Sequence, residues 1–197
     1  MRRLIIATRN RGKVKEIKSL LQGYNYEVLS LEEAGLDIEI EENGNTFEEN
    51  SLIKAIAVHK ITGDMAVADD SGLEIDFLNS APGIYSARFL DCKNDKQRYE
   101  GVLALMNGIP EEYRWARFKC AVSLVTDTGS RTFTGTIEGK IAFKAEGENG
   151  FGYDPVFYIP EYKKTMAQID SKLKNCISHR GQAFRQLAET LKNWRTT

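Results

Sequence analysis

The chain has 197 residues, of which 42% are hydrophobic, 28% charged and 10% aromatic. That length suits one large domain or two small lobes, with enough apolar content to fill a substantial core. With 27 basic against 28 acidic residues, and only 16 Gly and 4 Pro, the composition argues against disorder, collagen and bulk binding to nucleic acid or membrane surfaces.

No internal repeat, low-complexity tract or linker interrupts the sequence, so residues 1–197 read as a single domain. The first predicted element is a buried strand, Leu4 to Ala7, too short for a signal-peptide core. No stretch approaches the ~20 apolar residues that span a bilayer. The polar loop Thr8 to Gly12 then feeds a helix, because Val14, Ile17 and Leu21 recur at helical spacing. A second helix starts near Thr46, where Thr-Phe-Glu-Glu forms a capping box with Glu49; its apolar residues include Ile53, Ile56 and Ala57.

Met65 to Ala68 reads as a short buried strand running into Asp69-Asp70-Ser71-Gly72. Leu73, Ile75 and Phe77 alternate with Glu74 and Asp76, the period of a strand with one wet face. Tyr99, Val102, Leu103 and Met106 suggest a third helix. Phe118, Cys120, Val122 and Leu124 alternate as a strand, and Asp127 to Ser130 turns it toward a partner over Arg131 to Thr136. The last helix carries Ala183, Leu187, Leu191 and Trp194 on one face. Interleaved helices and strands with one hairpin favour an α/β fold on a mixed sheet. Cys92, Cys120 and Cys176 form no metal or redox pattern and read as buried thiols of a reducing cytosol.

Four segments carry groups suited to chemistry. Thr8-Arg9-Asn10-Arg11-Gly12-Lys13 lies between a strand and a helix N-terminus, where N–H donors and the dipole favour phosphate. It reads equally as an Asn-capped loop with solvated basic residues, and its glycine spacing is not that of a P-loop. Asp69-Asp70 sits where ligands gather at carboxyl strand ends, and two adjacent acids call for a cation such as Mg²⁺. Glu39, Glu41 and Glu42 could add a ligand; the alternative is an acidic turn.

In Gly147-Glu148-Asn149-Gly150-Phe151-Gly152-Tyr153-Asp154-Pro155, glycines flanking Phe151 can open its ring to a planar base, with Asp154 accepting from a base edge. A tight loop with core aromatics explains the same residues. In Lys174-Asn175-Cys176-Ile177-Ser178-His179-Arg180, Ser178 would cap the last helix. His179 and Arg180 would then sit in its first turn, where cations are disfavoured unless an acceptor-rich ligand meets them. His59 has no visible partner, and there is no nucleophile triad or zinc motif.

Taken in order, these segments resemble the inosine triphosphate pyrophosphatase family of non-standard purine nucleotide hydrolases. The motifs are Ala7-Thr8-x-Asn10-x-x-Lys13, Thr46-Phe47-x-Glu49-Asn50-Ser51, Ala68 to Leu73, Ala81 to Arg88, Gly150 to Pro155 and Lys174-Asn175-x-x-Ser178-His179-Arg180. Arg9 stands where many relatives have Gly, and Gln168 departs from an Ala-Glu-Leu pattern. The resemblance implies Mg²⁺-dependent hydrolysis of ITP, dITP and XTP to the monophosphate and pyrophosphate, clearing the nucleotide pool before incorporation into nucleic acid. It also implies an elongated two-lobed fold around a central mixed sheet with flanking helices, a substrate cleft between the lobes, a homodimer and a cytoplasmic setting.

Joined to that resemblance, the residues take roles. Thr8, Arg9, Asn10, Arg11, Gly12 and Lys13 hold the phosphate chain with Ser71 and Lys174, and Glu41 and Asp69 hold Mg²⁺. Asp70 accepts a proton from the attacking water. Phe151, Gly152, Tyr153, Asp154, His179 and Arg180 receive the purine.

Overall fold

The computed structural model describes residues 2–193. The chain runs through β1 (Arg2–Ile6), α1 (Arg11–Leu20), β2 (Tyr26–Ser30), α2 (Phe47–Thr62) and β3 (Met65–Ile75). It continues through α3 (Asp95–Leu105), β4 (Trp115–Thr126), β5 (Gly129–Ile141), β6 (Phe157–Ile159), β7 (Lys164–Thr165), α4 (Ser171–Ile177) and α5 (His179–Asn193). Seven strands form one sheet in the order β2-β1-β3-β4-β5-β6-β7. β1 pairs in parallel with β2 and β3, while β6 pairs antiparallel with β5 and β7. The mixed α/β class is therefore the one the sequence predicts.

The chain forms two compact units, one drawn from Met1–Asp70, Cys120–Gly135 and His179–Thr197, the other from Ser71–Lys119 and Thr136–Ser178. In the first, alternate residues of the same strands enter different cores. Leu4, Ile6 and Val67 pack with Ile17, Leu21, Phe184 and Leu187 of the α1 and α5 region, whereas Ile5, Ala7, Ala66 and Ala68 pack with Ala55 and Val58 of α2. Burial on both faces is why Leu4 to Ala7 is uninterruptedly apolar instead of alternating. In the second unit, Leu73, Ile75, Val102, Met106, Phe118, Val156 and Phe157 build a separate core.

Three local expectations are corrected. β3 does not end before the acidic pair but continues through Asp69-Asp70-Ser71-Gly72 to Ile75. Buried carboxylates persist in a strand when cations meet them, and the cations here come from distant parts of the chain. The buried face of α2 is Phe47, Asn50, Ser51, Lys54, Ala55 and Val58, not the face of Ile53, Ile56 and Ala57. Its polar members are satisfied: Asn50 Oδ1 accepts from Gly44 N–H at 2.8 Å, and the Ser51 and Ser123 hydroxyls lie 2.7 Å apart. Of the cysteines, Cys120 is buried but Cys92 is half-buried and Cys176 exposed.

Helix starts follow their caps. Asn10 Oδ1 accepts from Lys13 N–H at 3.1 Å and starts α1, and Thr46 Oγ1 accepts from Glu49 N–H at 3.1 Å and starts α2. The Glu49 carboxylate reaches Asn45 N–H, at 2.6 Å, one residue before the cap. Ser178, with extended φ/ψ, ends α4 and precedes α5, so Lys174 to Ile177 are helical instead of a leader to one helix. Ala183, Leu187 and Leu191 are buried as expected, and Trp194 lies outside the described residues.

Candidate active site

In the first unit, strand alternation sends Asp69 and Asp70 to opposite faces of β3. Asp69, completely buried, points toward α1 and α5. Its Oδ2 lies 3.0 Å from Lys13 Nζ, and accepts from Arg180 Nε at 3.2 Å and Nη2 at 3.1 Å. Arg180, itself buried, also donates from Nη1 to Glu16 Oε2 at 2.6 Å. The Cys120 thiol stands 4.0 Å from the same Asp69 oxygen, and burial pushes it up to about 12, so it stays protonated at neutral pH.

Asp70 faces α2. Lys54 Nζ lies 3.5 Å from Asp70 Oδ1 and donates to Glu42 Oε2 at 2.7 Å, with Lys54 almost wholly buried. Three cations (Lys13, Lys54, Arg180) thus meet four carboxylates (Glu16, Glu42, Asp69, Asp70) in one unit. The two aspartates respond in opposite ways. Burial would raise Asp69, but Lys13, Arg180 and Lys54 outweigh it and hold its carboxyl well below the usual range. At Asp70 burial wins over Lys54 and Lys13, with Glu42 and Asp69 adding to it, so the carboxyl is raised. One is a fixed anion and the other a better base, a separation expected of acid–base chemistry.

The phosphate-loop candidates divide. Lys13 turns to Asp69, and Asn10 caps α1 after its own N–H donates to Thr8 Oγ1 at 3.2 Å. Arg9 pairs with exposed Asp37 at 2.6 Å, and Arg9 and Arg11 line a cleft of about 540 Å³ with Thr8, Lys15 and Glu32. Glu41 is exposed, while its neighbour Glu42 joins the Lys54 cluster. His179 is buried at the start of α5. Sequence reading missed Lys54 and Glu16; the available signal for Lys54 was a lysine in the stripe of α2 shared with Phe47, Ala55 and Val58.

In the second unit, Phe151 is half-buried on an irregular loop. Its N–H donates to Asp154 Oδ2 at 2.8 Å, and Lys174 Nζ donates to the same oxygen at 2.6 Å. Lys174 Nζ also stands 5.1 Å from the Phe151 ring centroid, within cation–π range. The resemblance places Lys174 on phosphate and Asp154 on the base; the structure makes them a buried pair beside Phe151. Gly150, at φ 78°, permits this: a Cβ there would overlap Asp154 Oδ2 and crowd Lys174. Tyr153 is buried and donates its hydroxyl to Ser86 O at 2.8 Å. Ser71 is half-buried in the β3 segment following Asp70.

Among the described residues no group of three or more His, Cys, Asp or Glu is assembled to hold a metal alone. Asp69, Asp70 and the Glu41-Glu42 pair nevertheless offer hard carboxylate oxygens. Mg²⁺ suits one or two carboxylates with phosphate and water completing its shell. Asp69 and Asp70 face opposite sides of β3, however, and Asp69 Oδ2 already meets Lys13 and Arg180, so either would serve only an ion that arrives with a phosphorylated ligand.

Known proteins match the chain along almost its whole length. The dITP/XTP pyrophosphatase of Bacillus subtilis is 48% identical over 193 residues, covering 97% of this chain and 98% of its own. That of Desulforamulus reducens is 47% identical over 191 residues, covering 96% and 95%. Among solved structures, the Ham1 protein of Staphylococcus aureus superposes with a TM-score of 0.87 at 39% identity, covering 98% of this chain and 100% of its own. The HAM1 protein from Coxiella burnetii gives 0.88 at 40% identity, with the same coverage. Residues 4–190 match the Ham1 family, and the chain belongs to it.

Proposed function

We propose that the protein hydrolyses non-standard purine nucleoside triphosphates, dITP, XTP and ITP, to the monophosphate and pyrophosphate. The observation that carries this is the buried pair Asp69-Asp70, met on one face of β3 by Lys13 and Arg180 and on the other by Lys54. Names shared by full-length relatives at 47–48% identity support the substrate class.

Asp70 takes a proton from water as the water attacks the α-phosphorus, and pyrophosphate leaves. Lys54, 3.5 Å away, orients the Asp70 carboxylate and offsets its charge. Lys13 and the Thr8 to Gly12 backbone receive the phosphate chain, with Arg9, Arg11 and Ser71 at its margins. The resemblance gives Mg²⁺ to Asp69 and Glu41. Asp69 is buried against Lys13 and Arg180 and Glu41 is exposed, so an ion held by either would take most of its shell from phosphate and water. When bound, the ion neutralises phosphate charge.

In the second unit Phe151 is the stacking face, framed by Gly152 and Tyr153, and the Lys174–Asp154 pair supplies a donor and an acceptor for the base edge. The resemblance assigns the 6-oxo group to His179 and Arg180, which belong to the first unit, where Arg180 is buried and donates to Asp69 and Glu16. Adenine presents an amino donor where hypoxanthine and xanthine present that acceptor, and a buried donor facing a donor discriminates steeply. GTP shares the 6-oxo group, so its rejection rests on unmet pairing near C2.

Pyrophosphate release should stop with a chelator and return with Mg²⁺. The kcat/KM for ITP should exceed that for ATP by roughly 10² or more. Comparable values for the two nucleotides would defeat the base assignment.

The proposed setting is cytoplasmic, where free nucleotides are the substrate, and no helix among the described residues is long and apolar enough to cross a membrane. A homodimer is part of the proposal. Tyr113, Trp115 and Phe143 expose 59%, 43% and 68% of their surface in the second unit, apolar area that an interface would cover. Light scattering at twice 22.2 kDa would support it.

A further inference from the structure

The loop that carries Phe151 does not hold its shape through its own residues alone. Gly152, at φ 63°, donates its N–H to Asp95 Oδ2 at 2.8 Å. Asp95 is the first residue of α3, and its other oxygen accepts from Arg98 Nη2. Arg98 is itself anchored, donating from Nη1 to Ala87 O at 2.8 Å and to Cys92 O at 3.4 Å. A chain of hydrogen bonds thus runs from the Gly83–Asp91 segment through Arg98 and Asp95 to the residue following Phe151. The Tyr153 hydroxyl on Ser86 O fixes the loop again one residue later.

We infer that Asp95 is a positioning residue for purine recognition: it sets the pitch of the Phe151 ring by fixing Gly152, without touching the nucleotide. The inference rests on the reading of Phe151 as the stacking face. A glycine at positive φ has the largest conformational freedom in its loop, so its N–H is where one external acceptor removes the most disorder. Stacking needs the ring within a narrow range of tilt and offset. Asp95 also contributes an acid to the first turn of α3, a purely helical role with a separate signature. Asn94 caps the same helix through Gln97 N–H at 2.9 Å, and no hydrogen bond joins it to Gly152 among those described.

The test compares Asp95→Ala, Asp95→Asn, Asn94→Ala and Phe151→Ala on dITP and on a deoxyribose triphosphate lacking a base. Asp95→Ala is expected to raise KM for dITP roughly three- to tenfold, as for loss of one ordering hydrogen bond, with kcat within about twofold. Its kcat/KM on the base-free triphosphate should be unchanged. Asp95→Asn, which keeps one acceptor oxygen for Gly152 N–H but turns its amide NH₂ toward Arg98, should recover part of the loss. Equal effects of Asp95→Ala on both substrates, or the same dITP defect in Asn94→Ala, would overturn the inference by showing a helix effect. If Phe151→Ala raises KM for dITP and Asp95→Ala does not, the positioning role fails alone. If Phe151→Ala changes nothing, the stacking assignment fails and this inference with it.

Discussion

Asp70→Asn is expected to lower kcat by roughly 10²–10⁴-fold, the usual cost of losing a general base, while KM stays within a few-fold. Asn keeps the shape and one acceptor, so Lys54 retains a partner there and another in Glu42. The same variant should be at least as stable as the unmutated protein at pH 7. Asp70 has a folded pKa raised by burial above its unfolded value of about 3.9. Its ionisation therefore costs stability as pH rises through the folded value, and an amide avoids that cost. In the unmutated enzyme, kcat should rise with pH along a limb above the ordinary carboxylate range. Turnover assays and urea unfolding check both halves. Near-native kcat would move the base role elsewhere, and a large loss of stability would show that the site favours charged Asp70.

The second large effect is on folding. Arg180→Met is expected to destabilise the protein by about 3–5 kcal/mol at neutral pH, the cost of leaving buried charges without their partner. Arg180 serves Asp69 and Glu16 together, and Met fills the volume without the charge. Against a total stability of about 5–15 kcal/mol, such a loss is readily measured. It should also depend on pH. Asp69 is held below its unfolded pKa, so its contribution is present above about pH 4 and is lost as pH falls through the depressed folded value. The gap between variant and parent should therefore narrow in acid. A gap that does not change with pH would assign the loss to packing.

The parts of the fold legible in the sequence were those governed by local rules. The run Leu4 to Ala7, the Thr46 cap and the stripe of α5 each carry their own period or cap, and each appears in the structure. β4 is a strand as expected but alternates in exposure only as far as Lys119, being buried on both faces from Cys120 to Thr126. Asp69-Asp70-Ser71-Gly72 reads as leaving the strand at Ala68, because Asp-Ser-Gly is common turn chemistry and no cation nearby in sequence marks the two acids as buried. The groups that keep it in a strand are Lys13, Lys54 and Arg180, brought from three separate helices or their edges. Lys54 was hidden for the complementary reason: a lysine in α2 reads as solvated until Glu42 and Asp70 are placed around it. The glycines around Phe151 announced an unusual loop, but Asp95, which holds Gly152, lies 57 positions away and has no signature of its own.

The most direct measurement of the central claim is hydrolysis of dITP with Mg²⁺ in water enriched in ¹⁸O, followed by mass spectrometry of both products. Attack on the α-phosphorus by water that Asp70 deprotonates puts one ¹⁸O in the monophosphate and leaves pyrophosphate unlabelled. Label in pyrophosphate would place the attack on the β-phosphorus, and release of orthophosphate with a nucleoside diphosphate would place it on the γ-phosphorus. Either result would contradict the account.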